Sequence, residues 1–183
     1  MPEARDRHLT VVAAWVAMTV AVSYLAYGMI GRAGGEPDAE WTRQMINHHR
    51  QAVEMSLAVL ANGSDVDVRT VATDILLTQQ TQIGRLEQHL IEAEASLVAQ
   101  NAHTMPGGAS ASQMASLRDA DGVDADRIFT SLMIAHHRGA VEMSEELLAG
   151  RHGEFTGALA RNVIDTQSAE IDALQALQAA LPR

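Results

Sequence analysis

An internal repeat is the feature that most constrains how this chain folds. Residues 44–56 read QMINHHRQAVEMS and residues 132–144 read LMIAHHRGAVEMS, so the two motifs start 88 positions apart. The same offset continues without a gap until Leu86 pairs with Leu174. An ungapped match of this length indicates that one structural unit was duplicated, and such units bury their apolar faces against one another.

Each copy of the repeat predicts a pair of helices. In the first copy, Asp38 is a suitable N-cap for the first helix, and Gly63 is a suitable stop. Aromatic residues make up only 3% of the chain, and this aromatic-poor, alanine-rich composition favours helix. We therefore predict an all-α four-helix bundle built from two tandem helical hairpins, with a short extra helix in the linker. The predicted helices span residues 38–62, 66–99, 112–119, 124–149 and 154–180.

The N-terminal segment predicts a membrane anchor. Residues 9–30 contain no Asp, Glu, Lys or Arg, and a helix of that length can cross the core of a bilayer. Arg5 and Arg7 precede it, which favours a cytoplasmic N-terminus. A cleaved signal peptide, which would make the protein secreted, is the alternative. The predicted organisation is a cytoplasmic segment at 1–8, a single-pass signal-anchor at 9–30, a tether at 31–37 and an extracytoplasmic (periplasmic or extracellular) bundle at 38–183, with repeat 1 at 38–99, the linker at 100–122 and repeat 2 at 123–181.

Charge and composition narrow the class of partner. The formal net charge is −10, which argues against nucleic acid because binding phosphates requires a basic surface. The chain contains no cysteine, so a site for a soft metal must use methionine or histidine. No nucleophile elbow, H-E-x-x-H motif or Glu-x-x-His pair is present, and we predict that the protein is not an enzyme.

One histidine lies on the core-facing stripe of each motif helix. Burying an imidazole without a partner costs about 1–3 kcal/mol, so each core histidine needs a reason. His49 and His137 follow directly at the edge of the stripe. The stripe positions recur at steps of four and three: Trp41, Met45, His48, Ala52, Met55 and Val59 in one copy, and Phe129, Met133, His136, Ala140, Met143 and Leu147 in the other. The second helices offer polar partners at Gln79, Gln82, Gln167 and Glu170.

Two interpretations of these histidines stay open from the residues alone. Imidazole and thioether groups together suit copper, and thioether favours Cu(I). Alternatively, the histidines are hydrogen-bonded members of a structural core in a bundle that binds a protein partner, and methionine then only fills gaps. A metal-dependent oxidoreductase is a third, weaker hypothesis. His103 and Met105 in the linker offer a further copper contact, although an ordinary polar loop is the favoured interpretation.

The repeated motif M-I-x-H-H-x-x-A-V-E-M resembles the family called domain of unknown function 305. Further elements of the resemblance are T-Q-x-x-E-I from Thr166 to Ile171 and the linker sequence Met105-Pro106-Gly107. The resemblance spans residues 38–177. It implies a ferritin-like four-helix bundle that is exported, and some members bind copper in the periplasm and are implicated in copper resistance.

The resemblance also implies a set of candidate metal ligands. The candidates are Met45, His48, His49, Met55, Met133, His136, His137 and Met143. The chain departs from the family pattern at Gln82, where glutamate is usual, and at Leu86 and Leu174, where methionine is frequent. Each departure removes a carboxylate or a soft ligand, so we expect one or two copper ions per bundle rather than storage of many. We therefore expect a module for copper buffering, handling or resistance.

Overall fold

The computed structural model describes residues 36–98 and 105–182. Within these ranges the chain forms five helices and no strand, which confirms the all-α prediction for this part. The predicted membrane segment at residues 9–30 lies outside the described residues. No helix within the described ranges is long and apolar enough to cross a membrane. The helices are α1 (Glu36–Asn62), α2 (Val66–Glu92), α3 (Ala111–Asp119), α4 (Gly122–Ala149) and α5 (Glu154–Ala180).

The helices pack as the duplication predicts. Helix α1 packs along α2, and α4 packs along α5, so each repeat forms a hairpin. The two hairpins meet mainly through α1 and α4, and the short helix α3 rests on both. All twelve stripe positions of the two motif helices are buried, which confirms the predicted core face.

Two aspartates at equivalent repeat positions join the hairpins. Asp38 accepts hydrogen bonds from the Gly153 nitrogen at 2.8 Å and the Thr156 hydroxyl at 3.1 Å, at the start of α5. Asp126 does the same for the other hairpin, where it accepts from the backbone nitrogens of Ser64 at 3.1 Å and Asp65 at 2.9 Å. The prediction that Asp38 caps its own helix is therefore wrong: α1 begins at Glu36, and the Asp38 side chain bonds to the start of α5 in the opposite repeat.

Helix α2 ends earlier than predicted. It stops at Glu92 rather than near residue 99, because Glu94 adopts a left-handed conformation with φ of 52°. The Ala95 nitrogen then donates to the Leu90 carbonyl, and the Glu94 nitrogen donates to the Ile91 carbonyl. These two bonds form a Schellman motif. Because glutamate occupies a position where glycine is usual, the sequence carries no stop signal there.

Candidate functional site

The centre of the bundle holds a pair of imidazoles in contact with each other. The ring centroids of His48 and His136 lie 3.7 Å apart, with an angle of 37° between the ring planes. Both side chains are 0% exposed. His48 and His136 occupy equivalent positions of the repeat, so the two copies of the motif meet at these rings.

His48 has a defined tautomer. Its Nε2 atom lies 3.0 Å from the carbonyl oxygen of Pro106. A carbonyl oxygen only accepts hydrogen bonds, so Nε2 carries the proton. Burial lowers the pKa of His48 to about 4, although the Pro106 bond opposes this shift, so the ring is neutral at pH 7. Nδ1 therefore presents a lone pair, and no described group hydrogen-bonds to it.

Residues 105–109 of the linker, which we call the strap, place this carbonyl next to His48. Gly107 has φ of 67° and lies against the Ala135 carbonyl of α4. Gly139 leaves room for the carbonyl of Pro106, since a Cβ atom at position 139 would overlap it. Gln51 holds the other end, because its amide donates to the Ala109 carbonyl at 2.9 Å and accepts from the Ala109 nitrogen at 2.7 Å.

His49 belongs to a hydrogen-bond network separate from that of His48. Its Nε2 atom donates to Oε1 of Gln82 at 2.7 Å, and the Gln82 amide donates to Oδ1 of Asn162 at 3.1 Å. Burial, followed by the nearby His48, lowers the pKa of His49 to about 3. His49 is thus neutral with a free lone pair on Nδ1, which has no hydrogen-bond partner within the described ranges. His49 was predicted at the edge of the stripe but is fully buried, because helix α2, which carries Gln82, packs over it.

The second repeat arranges its histidines differently. Nε2 of His137 lies 2.7 Å from a carboxylate oxygen of Glu170, where the first repeat has the amide of Gln82. Among the described residues, neither ring nitrogen of His136 has a hydrogen-bond partner. Burial, followed by the neighbouring His48 and His137, lowers the pKa of His136 well below its usual value. The two halves of the centre are therefore chemically distinct despite their similar sequences.

The four candidate methionines flank the histidine pair in two groups. Met45 and Met143 belong to one apolar cluster, and Met55 and Met133 belong to the other. All four are buried. Each group combines one thioether from each repeat. Met143 also lines a surface cavity of about 500 Å³, whose other lining residues are Glu40, Trp41, Gln44, Glu146, Leu147, Gly150 and Arg151.

The eight predicted site residues are all buried in the bundle. They do not form a cluster in which several hard ligands surround one point. In the part of the chain that is described, no three imidazole or carboxylate groups converge to hold a metal ion. Of the predicted polar partners, Gln82 and Glu170 meet His49 and His137. Gln79 and Gln167 are buried, and their amides have no hydrogen-bond partner among residues 36–98 and 105–182.

Two contributors to the site, Pro106 and Asn162, were not predicted from the sequence. The prediction for His103 stays untested. The Pro106 carbonyl was not predicted as a partner of His48, although Met105-Pro106-Gly107 was noted as a family element. Asn162, which orients Gln82, carries no signal in the sequence. Met114 of the linker is buried in the apolar cluster of Met55, whereas His103 lies outside the described residues.

Fold and site together define a small all-α protein of duplicated hairpins with a buried histidine centre. The family described as Domain of unknown function (DUF305) matches residues 38–178. The chain therefore belongs to the DUF305 family. A search of curated proteins found no match.

Solved structures of relatives share this fold. A Streptomyces coelicolor DUF305 protein, provisionally named a secreted protein, is 33% identical, with a TM-score of 0.75 over 79% of this chain and 93% of that chain. A DUF305 fragment from Deinococcus radiodurans is 28% identical, with a TM-score of 0.75 over 81% of this chain and 99% of that chain. CopM in its Cu(II)-bound form is 22% identical, with a TM-score of 0.67 over 78% of this chain and 95% of that chain, a likeness of fold.

Proposed function

We propose that this protein is an extracytoplasmic copper-binding module that buffers the ion or passes it on. The observation that carries the proposal is the state of the central imidazoles. His48, whose ring contacts that of His136, is neutral, is tied through Nε2 and retains an unshared lone pair on Nδ1, and His49 repeats this pattern in its own network. Histidine ligands of metals share this pattern, since the nitrogen that does not bind the metal donates to a carbonyl, amide or carboxylate.

The donor set supports copper over other cations. Neutral imidazole and thioether are borderline and soft donors, and the candidate methionines and histidines are all buried. Hard cations such as Mg²⁺ or Ca²⁺ prefer several oxygen ligands, which the centre does not offer. The similar protein CopM has been solved in Cu(I)-bound and Cu(II)-bound forms, and this supports the proposal by analogy.

The eight predicted ligands and the location of the protein remain part of the proposal. We infer that His48 and His136 bind the ion, with the flanking methionines as further ligands. Met143 also lines a surface cavity, through which an ion could approach a thioether. An extracytoplasmic site agrees with the name of the Streptomyces relative. We also propose, from the sequence alone, that residues 9–30 anchor the protein, that the domain boundaries are as predicted and that the bundle is ferritin-like.

An anaerobic Cu(I) titration of the full chain against a chromogenic competitor tests this function. We expect tight binding of one or two equivalents. The double variant His48→Leu with His136→Leu should lose it while far-ultraviolet circular dichroism stays helical, because leucine fills the space without a ring nitrogen. His152→Ala, in the loop before α5, is the matched control and should bind as the unmodified protein does. Equal binding by the double variant would refute the assignment.

A structural core is the second candidate. The network from His49 through Gln82 to Asn162 satisfies these groups internally, and no three imidazole or carboxylate groups converge within the described ranges. In that case the protein would bind no Cu(I) against the competitor, and the His48/His136 variant would lose stability. Capture of one specific protein partner without dependence on metal would then favour an interaction bundle.

A further inference from the structure

The strap breaks the symmetry of the histidine centre. His48 and His136 are equivalent in the repeat, yet only His48 hydrogen-bonds to the strap, through the Pro106 carbonyl at 3.0 Å. A linker that joins two copies is present once, so its contact with the histidine pair has no counterpart in the other repeat. Whichever imidazole it contacts receives a fixed tautomer.

One repeat position supplies both supports of the strap. Gln51 and Gly139 align at the same offset as His48 and His136, and they are one of three differences between the two copies of the motif. Gln51 clamps Ala109 through two hydrogen bonds. Gly139 admits the Pro106 carbonyl, since any side chain at that position would overlap it. The two copies have therefore diverged at a motif position that contacts the strap in both hairpins.

We propose that Gln51 and Gly139 are positioning residues of the histidine centre. They hold the strap so that Pro106 keeps His48 in the Nε2-protonated tautomer and aims the Nδ1 lone pair at the incoming ion. The part of this proposal that concerns the ion rests on the proposed function. The part that concerns the tautomer does not, because it holds for the metal-free protein.

Three variants separate positioning from stability. Gly139→Ala adds a methyl group that displaces the Pro106 carbonyl. Gln51→Ala removes the clamp without adding bulk. Gly84→Ala is the matched control, because a Cβ atom at position 84 of helix α2 meets no atom within 4 Å. Thermal melting followed by circular dichroism reports whether each variant folds. If Gly139→Ala does not fold, Gln51→Ala alone decides the test.

The first readout is the tautomer of His48 in the metal-free protein at pH 7, from ¹⁵N–¹H correlation spectra. The unmodified protein and Gly84→Ala should show one protonated Nε2 and one unprotonated Nδ1. Gly139→Ala and Gln51→Ala should show shifts averaged between the two tautomers. A His48 that remains fully Nε2-protonated in both strap variants would overturn the proposal.

The second readout is Cu(I) affinity in the competitor assay. Loss of an outer partner of a histidine ligand weakens metal binding about 10–100-fold, and we expect at least the lower figure for both strap variants. Unchanged affinity beside an altered tautomer would overturn the claim that the strap serves the ion. If the unmodified protein binds no Cu(I), the proposed function fails, and the tautomer spectra alone decide whether Gln51 and Gly139 position His48.

Discussion

Mild acid should destabilise this protein because its central histidines are buried in the neutral form. Histidine in an unfolded chain has a pKa near 6.5. The folded state keeps His48 neutral down to about pH 4 and His49 neutral down to about pH 3. Between these values the unfolded state binds more protons than the folded state, so the free energy of unfolding decreases as the pH decreases from about 6.5.

The loss in the free energy of unfolding depends on how many pH units the solution lies below 6.5. At pH 5 each of these two histidines favours the unfolded state by about 2 kcal/mol, since each pH unit is worth about 1.4 kcal/mol. His48 and His49 together therefore remove about 4 kcal/mol. His136, whose pKa is also lowered, acts in the same direction. A loss of this size is a large share of the 5–15 kcal/mol that typically stabilises a domain.

Urea unfolding of the metal-free protein at pH 7 and pH 5 measures this loss. His49→Gln is the informative variant, because the glutamine amide can still donate to Gln82 but does not titrate. Its loss between pH 7 and pH 5 should be about 2 kcal/mol smaller than that of the unmodified protein. Comparing the two proteins cancels the general effect of acid on the net charge of −10.

Two results would refute this reasoning. One is a change below about 1 kcal/mol for the unmodified protein between pH 7 and pH 5. The other is an equal loss in the unmodified protein and in His49→Gln, which would place the acid sensitivity outside the histidine centre.

Two further predictions concern the bundle that holds the site. Asp126→Ala should lower the free energy of unfolding in urea by about 3 kcal/mol, because Ser64 and Asp65 lose three hydrogen bonds to a buried carboxylate. Asp121→Ala, at an N-cap whose side chain makes no capping bond, should change it by about 0.5 kcal/mol or less, and equal effects would contradict the cross-hairpin role of Asp126. Phe129→Ala should cost about 4 kcal/mol in the same assay, because the ring is fully buried. Leu77→Ala, at a side chain that is 59% exposed, should change the free energy of unfolding very little. A similar cost for both variants would contradict the full burial of the Phe129 ring.

The sequence by itself determined the helices, their pairing and the burial of the motif histidines. The stripe through Met45, His48 and Met55 repeats at helical spacing, and such a pattern is local, so it can be read without knowing the fold. The duplication then required two matching hairpins. It also placed Gln82 and Glu170 on the second helices as polar partners, since a buried imidazole has to be satisfied.

Only the tertiary structure decided how the hairpins join and which nitrogen of each histidine is free. Asp38 hydrogen-bonds to Gly153 at the start of α5, more than 100 positions along the chain, and no local pattern encodes that choice. The same holds for the early end of α2 at Glu94 and for the approach of Pro106 to His48. A tautomer depends on which acceptor reaches the ring, and the path of the strap, set by packing against α1 and α4, determines that acceptor.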